Sequence, residues 1–431
     1  MPDLPELNDP LQSDPRLLRL KSFLIDAVSS TMQDDSSGKN MDRESLRHLL
    51  LEAFGRTKAD LKPKLRDRVV DSALADLVGY GPLELLLPDP QINEIMVNGA
   101  NQIFVERNGE LIETGVKFED EAHLLRIIDR IVSPLGRRVD ADNPTADARL
   151  PDGSRVNVII PPVAVDGPHL TIRKFLQTKI TMDDLVAMEA LTPYMAKFLE
   201  ACVVTRLNIL VTGNTSSGKT TALNALSGFI PEKERIVTIE DAVELKLRQR
   251  HVVRLETKLP NTDGTGAVSV RELVRNVLRM RPDRIVIGEV RGGEAMDMLQ
   301  AMNTGHTGSL TTLHANSPRD GTSRLETMCM MAGLDMPLIA IRKQIAAAVN
   351  LIVHLARFSD GSRRMTHITE LSGMEGDVIT LTDIFKFDQT GVTPSGKILG
   401  VLRPTGMRPL FTPRLEASGF KLGGEVFGAG L

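Results

Sequence analysis

The sequence predicts an α/β protein: a mostly parallel sheet covered by helices, preceded by a smaller α+β domain and a helical N-terminal extension. Three observations carry that expectation. Beyond residue 205, apolar strand-like runs alternate with helical stretches. A loop rich in glycine and serine joins one of those strands to a helix. Near Gly81 the texture changes from long helical patterns to short strands and turns. A chain of 431 residues is too long for one ordinary core. The expected divisions are a disordered 1–14, a three-helix unit at 15–80, an α+β domain at 81–180 and the loop-bearing domain at 181–431.

The first residues are rich in Pro and Asp, a composition that buries little. Leu17 to Met32, Asp42 to Phe54 and Leu65 to Val78 then carry apolar residues at helical spacing, with Asp42 placed to cap the second helix. Ile103-Phe104-Val105-Glu106 and Leu111-Ile112-Glu113-Thr114 flank Arg107-Asn108-Gly109-Glu110, a hairpin signal with Asn-Gly at the turn. Glu119 to Val132 reads as a helix, and the runs from Arg155 and from Leu170 read as strands. Met182 to Cys202 reads as one helical linker. Strands follow at Asn208 to Thr212, Ile236 to Ile239, Ile285 to Gly288 and Ser309 to Leu313, with helices after Lys219, from Arg271 to Met280 and from Glu294 to Thr304. A helix at Leu338 to Val349 and strands near residues 351–355, 365–371 and 378–387 complete the domain.

Composition narrows the function. A formal net charge of −4 offers no global attraction to nucleic acid or anionic lipid. Aromatic residues make up only 3%, so a stacking platform for single strands is poorly supplied. No apolar run reaches the roughly 20 residues needed to span a bilayer. The opening residues have neither the basic nor the apolar region of a secretory signal, so a cytoplasmic protein is expected. Cys202 and Cys329 lie far apart and read as small buried hydrophobes.

Gly213-Asn214-Thr215-Ser216-Ser217-Gly218-Lys219-Thr220 fits the phosphate-cradling pattern G-x-x-x-x-G-K-[ST], with a strand before it and a helix beginning at Thr221 after it. The glycines let the backbone turn its amides toward a phosphate, and the helix presents the positive end of its dipole to the same anion. Lys219 is placed for the β and γ phosphates and Thr220 for a magnesium ion. The loop therefore implies a nucleoside triphosphate, with ATP and Mg2+ as the expected ligands.

Hydrolysis needs more than this loop. Ile236-Val237-Thr238-Ile239 stops at Glu240-Asp241, with Glu244 just beyond, and Ile285-Val286-Ile287 stops at Gly288-Glu289. In open α/β sheets the ligand lies at the carboxyl ends of strands, where these acids are delivered. Glu289 and Glu240 are candidates for orienting water, and Glu289 and Asp241 for holding magnesium with Thr220. His306 and His314 bracket a strand expected beside the nucleotide strand and are candidates for sensing the γ phosphate. Arg275, Arg279, Arg281, Arg284 and Arg291, with Arg155 and Arg173 upstream, offer cations for the developing charge.

With Ile239-Glu240-Asp241, Arg281-Pro282-Asp283 through Ile287-Gly288-Glu289-Val290-Arg291, and Thr304-Gly305-His306 through Leu313-His314-Ala315-Asn316, the loop resembles the ATPase superfamily of type II and type IV secretion systems. These stretches match its Walker A loop, aspartate box, Walker B strand and histidine box. Glycine at 288, where many P-loop enzymes carry aspartate, is that family's habit. Gly81-Pro82-Leu83-Glu84, Glu94 through Gly99, Asp152-Gly153-Ser154-Arg155 and Leu170 through Phe175 resemble the CpaF-type branch, which serves tight-adherence pili.

The resemblance implies a RecA-like P-loop ATPase core behind a PAS-like α+β domain, assembled as a hexamer, with Arg155 and Arg173 reaching the nucleotide. It also implies a motor that works on an inner-membrane platform protein for pilus assembly or secretion, peripheral to the membrane through its partners; the mild acidity and scarce aromatics add the expectation of no nucleic-acid cargo. Two other readings stand beside it. One is a conjugation-type nucleic-acid motor, marked by a basic, aromatic channel. The other is a nucleotide switch without turnover, for which Thr57-Lys58-Ala59-Asp60 is a poor guanine-recognition look-alike that lies before the loop.

Overall fold

The computed structural model describes residues 11, 14–34, 41–107, 109–136, 138–175, 180–260 and 264–428. It divides into two compact units, 1–177 and 178–431.

The first unit opens with α1 (Pro15–Asp34), α2 (Arg43–Gly55) and α3 (Pro63–Val78). Leu24, Leu46, Leu50, Val69 and Val70 bury their common apolar face. Asp42 caps α2 by accepting from the Ser45 amide, and Pro63 opens α3 where no amide donor is needed. Apart from Leu11 and Asp14, the expected disordered segment lies outside the described residues.

Next come β1 (Ile92–Asn98), β2 (Ile103–Arg107), β3 (Glu110–Glu113), α4 (Glu121–Val132), β4 (Thr145–Arg149), β5 (Arg155–Ile159) and β6 (His169–Arg173). The strands pair antiparallel in the order β3-β2-β1-β6-β5-β4. Leu124, Ile127, Ile128 and Ile131 of α4 share one core with the inward residues of the sheet. The β2–β3 hairpin forms, while its Asn108 lies outside the described residues. The helix expected from Glu119 starts at Glu121, because Asp120 caps it through the His123 amide.

An ionic cluster, buried at Lys21 and His123 and open at Glu119, ties α1, α3 and α4 together. Lys21 Nζ lies 2.6 Å from Asp76 and 2.7 Å from Glu119, and His123 Nε2 lies 3.3 Å from Asp76. Asp76, Glu119 and His123 are close enough to hold a metal, but the lysine ammonium supplies the positive charge. Burial works against the Asp76 carboxylate. The His123 hydrogen bond and the Lys21 charge outweigh it and hold the carboxyl below its usual range.

The second unit begins with α5 (Met182–Ala187) and α6 (Pro193–Val204). The single linker helix expected over Met182 to Cys202 is thus broken. Glu189 takes a left-handed φ of 57°, and Thr192 and Pro193 restart the chain as a new cap and first turn. Then follow β7 (Ile209–Gly213), α7 (Lys219–Ser227), β8 (Ile236–Glu240), β9 (Val252–Glu256), α8 (Val270–Val277), β10 (Arg284–Ile287), α9 (Glu294–Asn303) and β11 (Leu310–His314). The rest is α10 (Pro318–Met330), α11 (Leu338–Ala348), β12 (Leu351–Arg357), β13 (Arg363–Glu375), β14 (Val378–Val392), β15 (Ile398–Pro404), α12 (Thr412–Ala417) and α13 (Gly424–Phe427).

The sheet order is β15-β14-β13-β12-β7-β11-β10-β8-β9. From β12 to β9 every neighbouring pair is parallel, while β13 to β15 form an antiparallel extension. Every residue of β7, β8 and β10 is buried, which is why they read as continuous apolar runs. β7 and β11 are neighbours at the centre, so their carboxyl ends emerge together. Among the described residues no helix is long and apolar enough to cross a membrane.

Candidate functional site

The loop from Gly213 to Thr220 joins β7 to α7. Ser216 has φ 59° and Gly218 φ 93°, the left-handed bends that curl the backbone around a centre. Gly213 is required by close approach: a Cβ there would lie 2.4 Å from the Leu355 carbonyl oxygen and 2.5 Å from Ser217 Oγ. The Asn214 carbonyl accepts from Ser217 Oγ at 2.7 Å and from Lys219 Nζ at 3.0 Å. Asn214 and Thr215 are exposed at the tip, Lys219 is buried, and Thr220 and Thr221 stand half-buried in the first turn of α7. Backbone donors, an ammonium and a hydroxyl thus converge at one helix terminus, a donor set that fits a polyphosphate with its metal.

The neighbouring strands bring the acids in. His314 pairs in register with Gly213. Its Nδ1 lies 3.3 Å from Lys219 Nζ, and its Nε2 lies 2.9 Å from Glu289 Oε1. Arg291 donates to Glu289 Oε2 at 2.9 Å and lies 3.5 Å from Asp241. Lys219, His314, Glu289, Arg291 and Asp241 therefore form one chain of contacts from the phosphate loop to the end of β8. An ammonium only donates, so Nδ1 accepts and the imidazole proton sits on Nε2, facing Glu289. Burial lowers the His314 pKa; Glu289 opposes that, while Lys219 and Arg291 reinforce it, so the ring is neutral near pH 7. The Glu289 hydrogen bond is the main reason that the Arg291 guanidinium holds its proton more tightly than usual.

Glu240 takes a different place from the one expected. It is buried, and its Oε2 accepts from the Glu244 and Leu245 amides at 2.8 and 2.9 Å. That oxygen fixes the loop after β8. The arrangement also explains the glycine at 288: a Cβ there would lie 3.0 Å from Glu240 Cγ.

His306 is a correction within this unit. It precedes β11, whereas His314 ends it, so His306 lies at the amino edge of the parallel sheet, away from the phosphate loop. Its carbonyl accepts from Ser309 Oγ. Arg284 is also committed elsewhere, fully buried and donating to Glu234, the Gly308 carbonyl and the Val203 carbonyl. Arg275 pairs with Asp297. In the first unit, Arg155 and Arg173 face each other in register on β5 and β6, and Arg149 of β4 pairs with Arg155.

One residue beneath the loop has no sequence signal. His354 of β12 is buried, and its Nδ1 lies 2.8 Å from the hydroxyl of Thr212, one residue before the loop. Only the pairing of β12 with β7, some 140 residues apart in sequence, places it there. Burial, reinforced by His367, pushes its pKa down from 6.5 to about 4. The unfolded chain takes up this proton as pH falls through 6.5, while the folded chain resists until about 4. Stability from this group is complete above that window and lost downward through it, by about 3 kcal/mol in all. Urea unfolding of wild type and His354→Asn at pH 7 and pH 4.5 checks this: wild type should lose more stability on acidification, and equal losses would refute it.

The chain matches the family model described as type II/IV secretion system protein over residues 76–383. A Mycobacterium tuberculosis protein named for conjugal transfer is 39% identical over 313 residues, covering 71% of this chain and 88% of that one. The type IV secretion system protein PtlH of Bordetella pertussis is 38% identical over 305 residues, covering 63% and 88%. Among solved structures, the VirB11 ATPase of the Brucella suis type IV secretion system is 30% identical, covering 67% of this chain and 95% of that one at a TM-score of 0.38. The protein belongs to the ATPase family of type II and type IV secretion systems.

Proposed function

We propose that the chain is the ATP-hydrolysing motor of a pilus-assembly or secretion apparatus, acting as a ring of subunits on an inner-membrane platform protein. The contact chain from Lys219 through His314 to Glu289 carries the catalytic part of this reading. Lys219 and the loop amides bind the β and γ phosphates. The Thr220 hydroxyl, with Glu289 and Asp241, would hold a magnesium ion, which would supply positive charge to offset that of the phosphates. Glu289, oriented by His314 and Arg291, accepts a proton from the water that attacks the γ phosphorus as the bond to the ADP oxygen breaks. Arg155 and Arg173 supply cations to the γ phosphate in the assembled ring.

Low net charge and scarce aromatics favour a protein partner over nucleic-acid cargo. The conjugal-transfer name of the mycobacterial relative favours the second reading, a conjugation motor. Hydrolysis and particle mass measured with and without added single- and double-stranded DNA at low salt separate the two. The proposal expects ring-dependent turnover indifferent to DNA. Micromolar DNA binding that stimulates turnover would transfer the assignment to conjugation.

A further inference from the structure

We propose that Arg363 is a further residue of the nucleotide site, a positioning residue that sets the Ser216–Ser217 peptide so that its N–H faces the bound phosphates. Arg363 opens β13, outside every motif that marks the loop. Its Nε donates to the Ser216 carbonyl at 2.8 Å. Within the loop from Gly213 to Thr220, Ser216 is the one non-glycine residue held in a left-handed conformation, at φ 59°. Such a residue persists only where its surroundings hold it.

The peptide plane converts this contact into an aim. Across a trans peptide, carbonyl and amide point in opposite directions. Holding the Ser216 oxygen toward β13 therefore turns the Ser217 N–H inward. There it points at the Asn214 carbonyl, 3.3 Å away, which also accepts from Ser217 Oγ and Lys219 Nζ. Three donors thus converge on one oxygen, the arrangement that a phosphate oxygen would take.

Arg363 stands on a rigid support. The turn between β12 and β13 is closed by the Phe358 amide donating to the Ser362 carbonyl at 2.8 Å. Asp360 accepts from the Ser362 amide and hydroxyl and from the Ile398 amide of β15. Arg357 lies directly opposite Arg363 in register.

The inference rests on the nucleotide reading of the loop, and the test separates the two. Equilibrium binding of ATP and of ADP to the full chain is measured for wild type, Arg363→Ala and Lys219→Ala, with thermal melts to confirm folding. Arg363→Ala should weaken both nucleotides about tenfold, the worth of one hydrogen bond to a charged donor. Turnover at saturating ATP should stay within about threefold, because the chemical groups are untouched. The deficit should persist at about 0.5 M salt, where simple charge attraction is screened. If alanine fails to fold, Arg363→Lys, which keeps the charge but moves the donor, should still weaken binding about threefold. Unchanged affinity in a folded Arg363 variant, beside a Lys219→Ala that loses nucleotide, would overturn the inference and leave the loop assignment standing. Lys219→Ala that keeps wild-type affinity would undo the nucleotide reading itself.

Discussion

Glu289→Gln is expected to keep ATP affinity within about threefold of wild type while slowing turnover about a thousandfold, the range of a lost general base. The amide is nearly isosteric and can keep an oxygen facing His314 Nε2, which lies 2.9 Å from the present carboxylate. Binding rests on the loop and Lys219, which the change does not touch. The proton acceptor is lost. Arg291 also loses its charged partner at 2.9 Å, although Asp241 remains 3.5 Å away to hold it. Single-turnover hydrolysis beside equilibrium binding separates the two effects. Turnover within tenfold of wild type would remove Glu289 from the role of base.

The fold was legible where sequence pattern and burial coincide. β7, β8 and β10 are buried along their whole length, so their apolar runs announced them. β9 went unread because its half-exposed Val252-Val253-Arg254-Leu255-Glu256 mixes charge into an edge strand. α10 was missed because Pro318, Gly321 and three hydroxyl residues dilute its helical pattern, although Ser317 caps it and Leu325 and Met328 bury its face.

The candidate site divides in the same way. Glycine spacing and a strand-end acid are local signals, and they led to Lys219 and Glu289. Register is not local. The pairing of β11 with β7 places His314 beside Lys219 and leaves His306 at the far edge, a distinction that two histidines eight residues apart could not reveal. Glu240 and Glu289 looked equivalent as strand-end carboxylates. Only the backbone path after β8 shows that one Glu240 oxygen serves the Glu244 and Leu245 amides.

Lys219→Ala should cost about a hundredfold to a thousandfold in ATP affinity, since truncating one partner of a buried charged contact is worth about 2–5 kcal/mol. The side chain is buried, with its ammonium fixed between the Asn214 carbonyl and His314 Nδ1, so no long reorganisation precedes its contact with phosphate. The same substitution has a second consequence that does not depend on activity. Lys219 is one of the positive charges that disfavour protonation of His314. Its removal makes the imidazole easier to protonate, so the His314 pKa should rise. NMR titration of the nucleotide-free protein reads this directly. A His314 titration unmoved by the loss of Lys219 would mean that the two side chains do not share one site, and the link from phosphate loop to Glu289 would fail at its first contact.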